Sequence, residues 1–287
     1  MQSVGHSLVL GYPELEPYLT NPNYFGSTVG RFANRINRGK AVIDGQTLSL
    51  DLNEGGKHHL HGGSQGASHR NWAINDVSET SVTFEDMLPD GHMGYPGNLT
   101  VTAKFELDAD CRLNSTIEAQ TDAPTLCNFT THNYFNLDGG RDIRDHFLTV
   151  HADKYLPVDN EGIPTGSIES VEGTPLDFRV QKSLSSGGSF ADIDHNFCVS
   201  SKAVVAKLTS PRSSVALELS TLEPGVQVYS GASIRSGHHL PYAGIALEPQ
   251  KWPDAPNRDS FPPELLVPGT LSVQRSTFRL EHIDFLS

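Results

Sequence analysis

Glu248 is the carboxylate in this sequence best placed to act as a base. It closes an apolar run that begins at Ile245, and Pro249 follows it directly. Pro249 holds Glu248 in extended backbone and removes one ladder donor, so we expect sheet pairing to stop here. On a pleated strand, Leu247 faces the side opposite to Glu248. A carboxylate held in this way is either solvated at a strand end or the general base of a site.

Two histidines next to glycine- or asparagine-rich segments are the candidate partners. His61 lies in residues 58–63, His-His-Leu-His-Gly-Gly, and His132 lies in residues 130–137, Thr-Thr-His-Asn-Tyr-Phe-Asn-Leu. Histidine is the side chain most easily poised as an acid or base near pH 7. Each is equally compatible with a structural role in a loop. Three histidines within four residues suggest a metal, but no cysteine or nearby carboxylate completes a zinc-like set, so we predict no metal.

Asn34 and Arg35 form a polar pair just before the apolar residue Ile36. Arg31 lies four residues before Arg35. Two arginines beside an asparagine could clamp a phosphate, donate hydrogen bonds to sugar hydroxyls or form the centre of a salt-bridge network. The spacing does not choose between these three interpretations.

Asp194 and Gln227 are further candidates for binding a polar ligand. Asp194 lies in a turn that enters an apolar strand, where an aspartate either caps the turn or takes part in a site. Gln227 and Tyr229 share one face of a strand, with Val226 and Val228 on the other. The polar face could line a carbohydrate cleft or face water.

The motifs of nucleotide binding are missing from the sequence. It contains no G-x-G-x-x-G and no Walker sequence. We therefore expect no nucleotide cofactor.

The composition excludes some classes of partner. The 287 residues carry a formal net charge of −13, which argues against nucleic acids and anionic membranes as partners. Three widely spaced cysteines and no CxxC indicate a reducing compartment. Without a basic, apolar leader or a stretch of about 18 apolar residues, the sequence predicts a cytoplasmic protein.

Period-two patterns dominate and predict an all-β protein. Residues 41–50 read as a hairpin around Asp44-Gly45. Further strands are predicted at 81–88, 99–107, 112–119, 147–151, 197–208, 215–221, 226–230, 243–250 and 276–281, with at most a short helical turn at 34–40. Many short strands without interleaved helices indicate an antiparallel sandwich or barrel. We expect residues 1–287 to form one domain.

Seven segments together resemble the aldose 1-epimerase (galactose mutarotase) family. They are residues 23–36, 60–63, 94–99, 131–137, 194–197, 225–229 and 247–254, and they follow the family's order through nearly the whole chain. The resemblance implies a large antiparallel β-sandwich, the galactose mutarotase-like supersandwich, with an open sugar-binding cleft. It also implies interconversion of the α and β anomers of free aldoses without a cofactor.

The same resemblance assigns roles to the candidate residues. Glu248 corresponds to the general base, His132 to the general acid and His61 to a second histidine near the ring oxygen. The residues implied in binding sugar hydroxyls are Asn34, Arg35, Asp194 and Gln227. A glutamate with an unperturbed pKa of about 4.3 would be ionised at neutral pH, as this role requires.

Two departures from the family carry expectations of their own. Family members usually have one or two more strands before residues 8–12, so a sheet edge here is expected to be bare or rearranged. Ala67 follows Gly66 where the family often has an aromatic residue, which predicts a looser loop.

Three further functions are compatible with the same residues. A glycosidase could use Asp194 and Glu248 as its carboxylate pair. A sugar-phosphate 1-epimerase could recruit Arg31, Arg38 and Lys40, which are close in sequence to Arg35. A non-catalytic carbohydrate-binding protein could share the fold.

Overall fold

The chain folds almost entirely into antiparallel strands. The computed structural model describes residues 5–200, 203–237, 239–262 and 265–283. Within them the strands are β1 (Ser27–Val29), β2 (Arg35–Ile36), β3 (Lys40–Ile43), β4 (Gln46–Ser49), β5 (His59–Leu60), β6 (Ala73–Val77), β7 (Ser81–Leu88), β8 (Leu99–Leu107), β9 (Arg112–Thr121), β10 (Thr125–Leu126), β11 (Thr130–His132), β12 (Tyr134–Phe135), β13 (Phe147–Val150), β14 (Lys154–Leu156), β15 (Glu169–Ser170), β16 (Lys182–Ser183), β17 (Ser185–Ser186), β18 (Ser189–Phe190), β19 (Asp194–Cys198), β20 (Ala206–Ser210), β21 (Val215–Thr221), β22 (Gly225–Tyr229), β23 (Ile245–Gln250), β24 (Leu265–Leu266) and β25 (Ser272–His282). Short 3₁₀ helices are Glu16–Leu19, Asn37–Gly39, Ala67–His69, His92–Gly94 and Ala255–Asn257. Within these described ranges, no helix has the length and apolar character needed to cross a lipid bilayer.

Two large sheets form the body of the fold. The nine-stranded sheet has the order β16-β13-β20-β21-β25-β9-β8-β7-β6, and the six-stranded sheet has the order β12-β23-β22-β19-β14-β15. Every pairing within them is antiparallel. The predicted all-β antiparallel class is therefore confirmed.

The main apolar core lies between these two sheets. The nine-stranded sheet contributes residues such as Leu208, Leu217 and Phe278, and the six-stranded sheet contributes Val228 and Leu247. Because side chains alternate along a strand, the polar residues between the apolar ones on β22 and β23 lie on the other face of the six-stranded sheet. Core packing on one face thus fixes which side chains are presented on the opposite face.

Most strand predictions are confirmed, and three segments, 81–88, 99–107 and 215–221, match at both ends. The predicted hairpin at 41–50 forms as β3 and β4, with Asp44 and Gly45 both at positive φ, as a two-residue turn requires. The short helical turn expected at 34–40 is the 3₁₀ helix Asn37–Gly39.

Two predictions about strand ends are wrong. The run 197–208 is two strands in different sheets, β19 and β20, because the chain crosses from one sheet to the other between them. Pairing also does not stop at Pro249, since residues 249 and 250 of β23 still lie opposite residues 226 and 225 of β22. A proline ends pairing only where its missing N–H would have been needed.

The two departures from the family have different outcomes. Residues 8–10 cover the edge strand β12, since the Leu10 N–H donates to the Tyr134 carbonyl at 2.9 Å and the Asn136 N–H donates to the Leu8 carbonyl at 3.0 Å. The looser loop expected at Ala67 is wrong. The Ala67 side chain is buried and its backbone N–H bonds the Gly30 carbonyl at 2.9 Å, which anchors the loop.

Arg31 is a structural residue rather than a ligand-binding one. Its guanidinium is buried and donates to the carbonyls of Pro96 (2.8 Å), Gly97 (3.0 Å) and Leu88 (3.0 Å) and to the Thr125 hydroxyl (3.2 Å). Burial lowers the pKa of Arg31 to about 10, so the side chain is still charged at neutral pH. Its NH1 and NH2 groups join the end of β7, residues 96–97 and the start of β10.

We predict that Arg31→Met lowers the free energy of unfolding by about 3–5 kcal/mol, because several buried acceptors lose their donor together. Urea denaturation measures the change. The matched control is Arg38→Met at an exposed position, for which we expect a change within about 0.5 kcal/mol. Equal stability of the two variants would contradict the structural role of Arg31.

Candidate active site

Strand register brings the polar candidates together on one face of the six-stranded sheet. Gln227 on β22 lies directly opposite Glu248 on β23, and Asp194 on β19 lies opposite Tyr229 on β22. The predicted shared face of Gln227 and Tyr229 is confirmed, since both side chains line the same cavity. The alternation of polar and apolar residues that builds the core therefore also builds this polar row.

His132 reaches Glu248 through the register of the neighbouring strands. Tyr134 on β12 lies opposite Ala246 on β23. Continuing that register by two residues on each strand places His132 opposite Glu248, where antiparallel side chains touch. The His132 Nε2 and Glu248 Oε1 atoms lie 3.6 Å apart.

His61 comes from a loop locked against the segment that carries Asn34. The Asn34 N–H donates to His61 Nδ1 at 3.1 Å, and the His61 N–H donates to the Asn34 carbonyl at 3.1 Å. Next to His61, a β-carbon at Gly62 would lie 1.7 Å from the Gly30 carbonyl oxygen, so only glycine allows this approach. Asn34 and His61 both adopt positive φ, a strained conformation that functional sites often contain.

All seven candidate residues line one cavity of about 210 Å³. Pockets for drug-sized ligands are typically about 300–1,000 Å³, so this one suits a single small polar ring. A larger cavity of about 1060 Å³ lies elsewhere, beside residues 6–18, and contains none of the seven. The full lining of the smaller cavity is Pro22, Asn23, Tyr24, Asn34, Arg35, Glu54, Leu60, His61, His132, Tyr134, Asp194, Gln227, Tyr229, Ser233 and Glu248.

The three proton-carrying residues are deeply buried. Glu248 is 2% exposed, His132 4% and His61 6%. Glu248 Oε2 makes no hydrogen bond within the described residues, so it can accept one from a bound ligand. The expectation of a solvated strand-end glutamate is therefore excluded.

Burial moves the pKa values of the pair in opposite directions. It raises the pKa of Glu248 well above its ordinary value, with a further rise from the charge of Asp194 that Arg35 opposes. Burial lowers the pKa of His132 to about 4. The assumption of an unperturbed Glu248 is wrong, because desolvation penalises its carboxylate form.

His61 is held as a neutral hydrogen-bond donor. Burial lowers its pKa well below the ordinary value, and the nearby His132 and Arg35 add to the effect. Since His61 Nδ1 accepts the Asn34 N–H, the proton of the neutral ring is on Nε2. The ring lies edge-on to His132 at a centroid distance of 5.3 Å, so this donor belongs to the same site.

Arg35 links the other polar residues. Its Nε and NH2 groups donate to both carboxylate oxygens of Glu54, at 2.8–3.0 Å. Its NH1 group lies 3.7 Å from Asp194 Oδ2, while Asp194 Oδ1 accepts from Gln227 Nε2 at 2.6 Å. The salt-bridge interpretation of Arg35 is therefore confirmed, and the salt-bridge network lines the cavity.

Several residues that line the cavity carry no distinctive signal in the sequence. Glu54 belongs to no motif, and Tyr24 and Asn23 lie inside a family segment without a pattern that separates them from their neighbours. The Tyr24 ring packs against His61 at 4.7 Å and His132 at 5.8 Å between centroids. Asn23 Nδ2 has no hydrogen bond within the described residues, which leaves it free for a ligand.

The same three residues are the ones that could hold a metal ion. One ligating atom each from His61, His132 and Glu248 lie within 4.8 Å of one another. Ligands about 2.0–2.1 Å from a tetrahedral zinc lie roughly 3.3 Å apart, so binding would require them to move closer. The sequence-based expectation of no metal stays a prediction.

The fold and the site define an all-β protein with a glutamate and a histidine facing each other in a small polar pocket. A model of the aldose 1-epimerase family matches residues 2–279. Galactose mutarotase from Rattus norvegicus is 41% identical over 93% of this chain and 82% of its own length. Aldose 1-epimerase from Haemophilus influenzae is 37% identical over 86% of this chain and 77% of its own. The chain therefore belongs to the aldose 1-epimerase family, and the resemblance seen in the sequence is confirmed.

Solved structures agree on the fold. An aldose epimerase homologue from C. elegans superposes with a TM-score of 0.92 at 30% identity, covering 96% of this chain and 88% of that one. Galactose 1-epimerase from Lactobacillus acidophilus superposes with a TM-score of 0.86 at 30% identity, covering 96% and 86%. The galactose mutarotase-like sandwich is the architecture of this chain.

We predict that Glu248→Gln stabilises the protein increasingly as the pH rises from 4.5 to 8. The folded-state pKa of Glu248 is raised, so the unfolded chain releases this proton first and the native state loses stability over that interval. Glutamine cannot ionise and removes the penalty. Calorimetric melting temperatures measure the difference. A gain that is the same at every pH would contradict the raised pKa, and the exposed Glu14→Gln is the control.

Proposed function

We propose that this chain is an isomerase that interconverts the α and β anomers of free aldoses of the galactose or glucose type. The observation that carries the proposal is the 3.6 Å approach of His132 Nε2 to Glu248 Oε1 inside a cavity of about 210 Å³. The names of the relatives, galactose mutarotase and aldose 1-epimerase, support the same activity.

The lining residues divide by chemistry into proton carriers and hydroxyl ligands. Glu248 is the general base for the C1 hydroxyl, and His132 is the general acid for the ring oxygen. His61 donates its Nε2 proton near the ring oxygen. Sugar hydroxyls are held by Asn34, Arg35, Asp194 and Gln227. Charge-assisted hydrogen bonds of this kind are each worth about 1.5–3 kcal/mol.

Anomerisation with these groups needs no covalent intermediate. Glu248 takes the proton of the C1 hydroxyl while His132 gives a proton to the ring oxygen, and the bond between C1 and the ring oxygen breaks. The resulting aldehyde rotates about C1–C2. Closure on its other face returns both protons. General acid–base help contributes about 10²–10⁴-fold, and alignment of both groups on one sugar adds to it.

The opposite pKa shifts suit a pair that carries one proton. Ring opening starts from ionised Glu248 and protonated His132 and ends with neutral Glu248 and neutral His132, so the total number of protons on the pair is unchanged. Burial favours the neutral arrangement, since it raises one pKa and lowers the other. The negative charge of ionised Glu248 in turn stabilises protonated His132 across 3.6 Å. The pair therefore has the same net charge before and after ring opening. The sugar accepts a proton from His132 and gives one to Glu248.

A sugar-phosphate 1-epimerase would need cations that the pocket lacks. Arg35 is the cation among the described lining residues, and it is already paired with Glu54. Arg31 donates to backbone carbonyls, and Arg38 and Lys40 are exposed outside the cavity. These positions favour an unphosphorylated sugar.

A glycosidase and a carbohydrate-binding module place different demands on the same pocket. A glycosidase needs two carboxyl groups that flank the scissile bond, but Asp194 is bound by Gln227 and faces Arg35, while Glu248 faces His132. A binding module has no use for an acid facing a base. Release of nitrophenol from aryl galactosides would support the glycosidase.

The proposal includes the setting in which the enzyme works. The partner is a monosaccharide, and we expect neither nucleic acid nor membrane as a ligand. Cys111 and Cys198 form no disulfide among the described residues, which supports a reducing, cytoplasmic location. We also propose that residues 1–287 form one domain.

We predict that Glu248→Gln slows the anomerisation of α-D-galactose and α-D-glucose by at least about 10²–10⁴-fold, because glutamine cannot accept the proton. Polarimetry of freshly dissolved sugar measures the rate, and isothermal titration calorimetry checks that galactose still binds. A rate close to that of the unmodified protein would exclude Glu248 as the base.

Glu223→Gln is the matched control for this experiment. Glu223 is also a buried glutamate whose pKa is raised by burial, but it does not line the cavity. The control should share the pH-dependent stabilisation of Glu248→Gln and retain full activity. Loss of activity in both variants would point to folding rather than to proton transfer.

We predict a bell-shaped dependence of kcat/KM on pH. At low pH a second proton is added to the Glu248–His132 pair, which removes the base, and at high pH the pair loses its proton, which removes the acid. Polarimetric rates between pH 4 and 9, corrected for the spontaneous reaction, give the profile. A rate that rises continuously to pH 9 would contradict the one-proton pair.

A further inference from the structure

Glu54 holds the guanidinium of Arg35 by its Nε and NH2 groups, while the NH1 group faces Asp194. Both of its oxygens accept from Arg35, in the two-pronged geometry that fixes a guanidinium plane. The Arg35 side chain is 18% exposed and that of Glu54 is 28% exposed, so the contact is largely shielded from water. The Nε and NH2 groups are used by Glu54, and NH1 is directed toward Asp194.

A second contact supports the same orientation. Gly162, at positive φ, packs on the guanidinium so closely that a β-carbon there would lie 2.9 Å from Arg35 Cζ. The turn that carries Gly162 is tied down separately, because Glu161 pairs with Lys57 and His58. The guanidinium of Arg35 is therefore held by the Glu54 carboxylate along one edge and packed against the backbone of Gly162.

We propose that Glu54 is a positioning residue for the anomerisation reaction, which holds Arg35 so that its NH1 group presents donors to a sugar hydroxyl beside Asp194. This inference rests on the proposed function. Glu54 acts through Arg35, and Arg35 touches the sugar. Glu54 thereby sets the strength of sugar binding more than the rate of proton transfer.

The charges around Arg35 show why such an anchor is needed. Asp194 lies 3.7 Å from NH1, close enough to attract the guanidinium but not yet in direct hydrogen-bond contact. Without Glu54, Asp194 is the remaining carboxylate partner of Arg35, and the guanidinium would close onto it. Both groups would then satisfy each other instead of the sugar hydroxyls.

Glu54 also tunes the general base through Arg35. The positive charge of Arg35 opposes the rise in the pKa of Glu248. Glu54 neutralises part of that charge. Removing the carboxylate of Glu54 takes one negative charge away from the cavity lining, which lowers the pKa of Glu248. The acid limb of the pH profile should therefore move to lower pH.

The test is a double-mutant cycle of Glu54→Gln and Arg35→Lys, measured by polarimetry with galactose. We expect Glu54→Gln to raise KM about 10- to 100-fold, the range for loss of a charge-assisted anchor, with kcat changed less than about threefold. In the Arg35→Lys background, Glu54→Gln should change KM by less than about threefold, since lysine has no guanidinium for Glu54 to hold through two parallel hydrogen bonds. Glu54→Asp, which keeps the charge, should recover part of the loss in KM.

Asp177→Asn is the matched control, because Asp177 holds Arg179 through its Nε and NH2 groups in the same two-pronged geometry and does not line the cavity. It should leave KM, kcat and the pH profile unchanged. The inference is overturned if Glu54→Gln leaves KM unchanged, if it costs the same in both backgrounds, or if the acid limb does not move. Circular dichroism confirms that each variant is folded.

The proposed function can fail separately from this inference. If the unmodified protein does not accelerate anomerisation, the isomerase proposal is wrong. Calorimetric binding of galactose to the unmodified protein, Glu54→Gln and Arg35→Lys then decides the role of Glu54. Equal affinity of Glu54→Gln and the unmodified protein would overturn it.

Discussion

The register between the strands of the six-stranded sheet is the constraint on which the rest of the site depends. Opposite Glu248 lie Gln227 on one side and, by continuation of the register, His132 on the other. A slip of one residue in β23 would turn Glu248 into the apolar core and bring Leu247 to the pocket. The core therefore enforces the site, because burying Val228 and Leu247 leaves one possible placement for the polar residues between them.

The cavity gains its chemical properties from the same packing. Exclusion of water shifts Glu248 and His132 toward their neutral forms, which makes the carboxylate a stronger base and the protonated imidazole a stronger acid than either would be in water. Arg35 moderates the effect on Glu248, and Glu54 moderates Arg35. The charge of Glu54 thus influences Arg35, and the charge of Arg35 influences the pKa of Glu248.

The sequence alone predicts the strands more directly than it predicts the roles of the candidate residues. Strands such as β7 and β21 follow from alternation and turn residues alone, because both signals are local. The seven candidate residues were identified through family segments and do line one cavity. Residue types and spacing alone left each of them with a structural alternative.

The remaining features depend on contacts distant in sequence. The pKa of Glu248 follows from burial by residues throughout the chain, and no local pattern reports it. Glu54 meets Arg35 across 19 positions, in a segment without a distinctive motif. The division of 197–208 into two strands reflects a crossing between sheets, which hydrophobicity does not reveal.

The contact of Gly62 with the carbonyl of Gly30 has a consequence for how this pocket can evolve. This contact packs the loop of His61 tightly against the segment of Asn34 and Arg35. An insertion or a bulkier residue in one of the two segments would therefore require a matching change in the other. Another wall of the pocket is formed by Tyr229 and Ser233, where the Tyr229 backbone is paired within the six-stranded sheet and its hydroxyl contacts Ser233. We expect sugar specificity to change most readily by substitution of Tyr229 and Ser233. Changes in the loop of His61 and in the segment of Asn34 and Arg35 must occur together.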